Sequence, residues 1–148
     1  MDFNLYDSRA ASEKPRALHL KHPGTGALLY DDEAKEKPCR VLVLGIEGET
    51  GQAAILQSQR DRMKQDKGAN EPVAVSEIHD ALVKEIAPLI VGFEHVNRGE
   101  RLAKAPDDVT WFLKLQIVGG TRGQMSFAEQ VRAFATDRAA ILGNENAS

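Results

Sequence analysis

The stretch VSEIHDALVKEIAPLIVGF, residues 75–93, decides the fold. Its apolar side chains fall at Val75, Ile78, Leu82, Ile86, Leu89, Ile90 and Phe93. This three-and-four spacing is the mark of an amphipathic helix with one buried stripe. Glu77, Asp80, Lys84 and Glu85 occupy much of the opposite side, so one face meets a core and the other meets water. Pro88 removes a backbone donor inside the pattern and predicts a kink or early stop there. Gly92 marks the last turn.

Working back toward the start, GQAAILQSQRDRMKQDK (residues 51–67) reads as a helix with a thin apolar stripe of Ala53, Ile55, Leu56, Gln59 and Met63. Gly68-Ala69-Asn70-Glu71-Pro72 breaks it, and a mobile linker is expected near residues 67–73. CRVLVLGIEG (39–48) is the clearest strand, because Val41 to Leu44 form a near-continuous run of β-branched residues alternating with leucines. In ALHLKHPGTGALLYDD (17–32), Leu18 and Leu20 alternate with His19 and Lys21. Pro23 to Gly26 make a turn and Leu28 to Tyr30 return, the pattern of a hairpin. These strands in a meander make a small antiparallel sheet. Residues 1–16 are polar and without periodicity, and are expected as a flexible N-terminal arm.

Working forward, Asn97-Arg98-Gly99 is a tight-turn signal. Pro106 with Asp107 and Asp108 opens the next helix, proline in the first turn and acids at the positive end. DVTWFLKLQIV (108–118) carries two stripes, Val109, Phe112 and Leu113 on one side and Trp111, Leu115 and Val118 on another. As a strand, Leu113, Leu115 and Ile117 alternate with Lys114 and Gln116; the acidic proline start favours helix. Gly119 to Gly123 form a loop. Ser126-Phe127-Ala128-Glu129 is a capping-box pattern opening a last helix with Val131, Phe134, Ala135, Arg138, Ile141 and Leu142. Gly143 ends it, and residues 144–148 are a polar tail. The expected fold is α+β: one domain over residues 17–143, with an N-terminal antiparallel sheet of about three strands and about four packed helices.

The totals agree with one solvated domain. At 148 residues a real core can be buried, and with aromatics at 5% it is mainly aliphatic. Net charge is −3, so no basic excess draws nucleic acid or an anionic membrane. The apolar runs are too short to span a bilayer. The opening residues are acidic where a signal peptide would be basic and then apolar. A lone Cys39 suits a reducing compartment, so a cytoplasmic setting is expected.

Chemistry is sparsely signalled. The glycines from Gly45 to Gly51 follow a strand and precede a helix, as a phosphate loop does, but no Gly-Lys-Ser/Thr occurs and Glu47 and Glu49 would repel the ligand. A strand-to-helix turn accounts for them better. His19 and His22 lie on a strand and its turn, while His79 and His95 sit on and beyond the central helix, so no metal set is expected. Cys39 heads the apolar strand, where a small buried thiol is commoner than a nucleophile. Ser126 serves as a cap, and no carboxylate pair is marked for acid–base work. The alternating charges from Arg60 to Lys67 read as a solvated helix face. No cofactor and no enzymatic activity are expected. Two readings of Trp111, Leu115 and Val118 stand: both stripes of that segment are buried, or this one is exposed and binds another chain.

The stretches LHLKHPGTGALLYDD, RVLVLGIEG followed by a charged helix, IVGFEHVNRGERLAKAPDDV and SFAEQVRAFATDRAAILGN come in an order that resembles the tail assembly chaperones of long-tailed bacteriophages. The carrying motifs are His22 to Gly26, Val91 to Glu94 and Asp137 to Leu142, and the resemblance covers roughly residues 17–143. Phe93 stands where that family usually has tryptophan, and LKLQIVGGTRG is longer and less polar than the family's stretch. The resemblance implies a non-enzymatic protein of the host cell cytoplasm. Such a protein coats the tape-measure protein, keeps its apolar helices soluble and helps the tail-tube protein polymerise around it, with self-association. The alternative within the same module is a tube, terminator or completion protein retained in the virion tail.

Overall fold

The computed structural model describes residues 1–64, 74–117 and 124–142. The expected linker near residues 67–73, the loop at 119–123, Val118 and the tail at 144–148 lie outside them. The fold is α+β, a three-stranded antiparallel sheet with a second, two-stranded one and helices packed around the larger sheet.

The sheet runs in the order β1 (Arg16–His19), β2 (Arg40–Val43), β3 (Ile90–Glu94). The alternation of β2 works as expected: Val41 and Val43 are buried and Leu42 points to the other face. The third strand differs from the expected meander. Residues 28–30 contribute only isolated bridges, Lys21 to Leu28 and Tyr30 to Pro38, and the third place is taken by Ile90–Glu94. The helix stops early at Pro88, as the proline predicts, and the residues expected as its last turn form a strand instead. The helix proper, α3, spans Val75–Ile86, Pro88 sits in a 3-10 turn at Ala87–Leu89, and the chain then extends. Pairing explains the change: Ile90, Gly92 and Phe93 fall opposite Val43, Leu42 and Val41, with Val91 the extra residue of a bulge. Gly92 lies close to its partner strand, since a Cβ there would lie 3.0 Å from Leu42 Cδ1 and that side chain would have to give.

The bulge and turn also set which face of α3 is buried. With Leu89 and Ile86 pinned in the core, the inward face continues back through Val83 to His79. Val75 and Ile78, expected in the stripe, are half exposed. Helix α2 (Glu49–Lys64) likewise buries Ala54, while Leu56 and Met63 from its expected stripe are exposed.

After β3, Gly99 (φ +66°) turns a short hairpin of β4 (Asn97–Arg98) and β5 (Arg101–Leu102). Helix α4 (Val109–Leu113) follows, and buries Val109, Phe112 and Leu113. The last helix is two. In α5 (Phe127–Ala135) the expected capping box is present, with Ser126 and Glu129 satisfying each other's amides. Thr136 Oγ1 then donates back to the Arg132 and Ala133 carbonyls and Asp137 caps α6 (Arg138–Leu142), which breaks the helical run. The core closes on Phe112, stacked on Phe127 at 4.9 Å and edge-on to Phe93 at 5.3 Å. Truncating such a ring to alanine costs about 3–5 kcal/mol.

Residues 1–16, expected as a flexible arm, carry ordered turns. Phe3–Tyr6 form a 3-10 turn and Ser8–Ser12 a short helix, α1. Ser12 is fully buried and its carbonyl accepts from the Gly45 amide at 2.9 Å. The anchor is a glycine loop distant in sequence, which local patterning does not signal.

Candidate functional site

The glycine loop takes its anion from within the chain. Glu13 accepts from the Thr50 amide at 2.9 Å and from the Thr50 hydroxyl at 3.2 Å, at the first turn of α2. Charge at that end of a helix is favourable, and here a carboxylate supplies it. A Cβ at Gly48 would fall 2.3 Å from Glu13 Oε1, one at Gly45 2.3 Å from Ser12 Oγ, and one at Gly51 2.2 Å from the Ile46 carbonyl. These glycines admit α1 and a tight turn. Glu47 is held below the usual carboxylate range by hydrogen bonds from Arg138 and Ser8, which tie α1, this loop and α6 together.

The histidines do separate local work. His19 Nε2 meets the Leu29 carbonyl at 2.8 Å, and its ring is edge-on to Tyr30. His22 Nδ1 accepts from the Gly24 and Thr25 amides, which shapes the His-Pro-Gly-Thr-Gly turn. His95 (φ +57°) meets the Pro38 carbonyl at 3.0 Å. His79 is 5% exposed, and neither ring nitrogen has a hydrogen-bond partner among the described residues. No group of three or more possible metal ligands occurs among the described residues. The Cys39 thiol is pushed up by burial and by the nearby Asp31 charge, and it donates to the His95 carbonyl.

Asp108 was expected to serve a helix start. It makes no side-chain cap. Its buried carboxylate instead accepts from Arg98 at 2.9 Å, from both terminal nitrogens of Arg101 at 2.7 and 2.8 Å, and from the Lys104 amide at 2.8 Å. These partners, Arg101 first, favour the ionised carboxylate and hold its pKa well below the usual carboxylate range. The clasp fastens the β4–β5 hairpin to α4, and it also places the Arg98 guanidinium 5.1 Å from the centre of the Trp111 ring.

Trp111 is half-buried against the core with Arg98 over its face, and Leu115 is 46% exposed. Val118 lies outside the described residues. The structure thus places the first two residues of the expected partner-binding stripe on neighbouring turns, one covered and one open.

Beside this stripe is a feature that patterning missed. A cleft of about 640 Å³ opens between α2, α3 and α4, within the size range of ligand pockets. Ala54, Val83, Ala87, Pro88 and Val109 give it apolar walls, with Gln57, Asp61, Lys84, Thr110 and Lys114 among its polar lining. Lys114 reaches Asp80 at 3.6 Å, and Asp61 accepts from Gln57. The sequence signals are small: alanines on facing helices that leave a gap, and Thr110 with Lys114 one turn apart on the exposed side of α4. The carboxylates with clear shifts, Glu47 and Asp108, are paired with arginines and do not line it.

No described helix is long and apolar enough to cross a membrane. Comparison of the chain with protein-family models, with curated proteins and with solved structures finds no match.

Proposed function

We propose that this protein is a phage tail assembly chaperone that binds helices of the tape-measure protein and keeps them soluble while the tail tube polymerises. The observation that carries this reading is the cleft walled by α2, α3 and α4, apolar within and polar at its edges. Recognition of an amphipathic helix needs such a groove: its apolar stripe leaves water, and its polar flanks meet the rim. Leu115, just past the end of α4, adds one exposed apolar side chain on that side of the fold. The resemblance in the motifs at His22 to Gly26, Val91 to Glu94 and Asp137 to Leu142 supports the same reading, and those residues act as a turn, a strand and a helix cap with its ion pair. The function needs no catalytic group or cofactor.

The test joins mass spectrometry of purified virions with capture of the tagged chain from infected cells. Absence from virions together with tape-measure protein in the captured complex is the expected result. Stoichiometric presence in the particle would assign the chain to the tail structure instead.

A further inference from the structure

The larger sheet ends on one side at β1, and that edge carries an unpaired ladder. The Leu20 amide donates to the Cys39 carbonyl at 2.9 Å, in the same register that sets Arg16 opposite Val43 and His19 opposite Arg40. Antiparallel bonds alternate, so Arg16 and Leu18 turn their amides and carbonyls toward β2 while Ala17 and His19 turn theirs away from it. The next outward residue, Lys21, shows what that side demands. Its amide donates to Gln130 Oε1 at 2.9 Å and its carbonyl accepts from Gln130 Nε2 at 2.9 Å, so a side-chain amide of α5 stands there as a strand residue would. Nothing does the same for Ala17 and His19, whose outward amides and carbonyls have no hydrogen-bond partner among the described residues. The His19 ring does not close the edge, because its Nε2 is held on the Leu29 carbonyl. Ala17 is exposed and no bulge interrupts β1, whereas the opposite edge, β3, is broken at Val91 by a bulge that blunts it.

Charge selects what can pair there. Lys14 and Lys21 are exposed at the two ends of the open stretch, with Arg16 between them, and none of the three is in an ion pair among the described residues. The neighbouring acids are already engaged: Glu13 on Thr50, Glu129 in the α5 capping box and Asp137 on the first amides of α6. A second copy laid edge to edge would bring these cations onto their own like, and like charges across strands are unfavourable. We infer that β1 docks an extended acidic segment of another protein, which adds a fourth strand through Ala17 and His19 and sets its carboxylates at Lys14, Arg16 and Lys21. The unmet groups form a ladder, so the occupant is an extended chain; a helix bonds its own backbone internally and offers nothing to them. The contact spans few residues and buries less than the ~1,200 Å² of stable complexes, so it is weak and reversible. The edge shares no residue with the α2–α3–α4 cleft, so the inference stands or falls separately from the function proposed for that cleft.

The test is titration of the isotope-labelled full chain followed by amide NMR. The probe is a hexapeptide that alternates glutamate with valine, compared with its lysine–valine counterpart. On adding the acidic peptide, the His19 amide and its neighbours in β1 are expected to shift and to exchange more slowly, with at least about tenfold weaker binding of the basic peptide. Ala17→Pro deletes an outward amide without removing a bond to β2, a substitution that edge strands accept, and is expected to abolish binding with the fold retained. Lys14→Glu/Lys21→Glu changes two exposed positions, keeps the backbone ladder, and is expected to weaken the acidic peptide at least about tenfold. Equal binding of the two peptides, acidic-peptide binding that survives either variant, shifts confined to the cleft, or no shift up to about 1 mM peptide each overturns the inference. So does self-association of the chain that Ala17→Pro abolishes, which would make a second copy the occupant.

Discussion

His79 offers the sharpest test of the packing. Its imidazole is 5% exposed on the inward face of α3, one turn before Val83, where α3 packs on α2 and α5. Neither ring nitrogen is hydrogen-bonded among the described residues. A buried polar group left without a partner costs about 1–3 kcal/mol, because its hydration is lost and nothing replaces it. His79→Leu removes that cost and adds a better helix former, worth a few tenths of a kcal/mol. The change of shape returns up to about 1 kcal/mol of strain. The net expectation is a gain of about 1–2 kcal/mol, which for a chain of this size raises the melting temperature by about 2–8 °C. Urea unfolding followed by circular dichroism reads the same gain as a higher midpoint at unchanged slope. His79→Asn, which keeps polar atoms and loses volume, is expected to lower the midpoint. A leucine variant less stable than the parent is the contrary result, and it would mean that the imidazole is satisfied in the folded protein.

Gly45→Ala puts a methyl carbon 2.3 Å from Ser12 Oγ and 2.8 Å from Ile141 Cδ1, so α1 must move; limited proteolysis should then cut before residue 16 well ahead of the parent. Asp108 has a folded pKa below its unfolded value of about 3.9, so its stabilisation is complete above that pH and is lost as pH falls below it. Asp108→Asn should therefore lower stability at neutral pH and flatten the acid limb of the stability curve, read by thermal melts across pH. The Cys39 thiol, raised by burial and by Asp31, should react with a thiol reagent at pH 8 several-fold more slowly than a free cysteine does, and unfolding in urea should remove the difference.

The parts of the fold legible in the sequence are those whose signal is local. The alternation of Val41 and Val43, the Gly99 turn and the Ser126–Glu129 box each depend on residues within a few positions. What escaped depends on partners far along the chain. Leu89 to Phe93 satisfy a helical period and a strand equally well, and pairing with residues 40–43 decides between them. Once that strand forms, the helix before it is shorter and its inward face passes through His79 in place of Ile78. The order in residues 1–13 rests on Gly45, Glu47 and Thr50. The cleft was invisible for a similar reason: it is a gap between Ala54, Ala87 and Val109, made by small side chains on elements that patterning treats one at a time. Asp108 is the exception in distance: it reads as an acid beside a helix start, and Arg98 and Arg101, ten and seven positions earlier, reach it because the β4–β5 hairpin turns back.

Co-expressing the tape-measure protein with this chain, and measuring how much of it stays in the supernatant, tests the proposed function. Gln57→Trp, an exposed substitution at the edge of the cleft, provides the comparison. Soluble tape-measure protein is expected with the parent chain, and its loss to the pellet with Gln57→Trp, while the variant itself remains folded. A tape-measure protein equally soluble without the chain, or equally protected by the variant, would contradict that function.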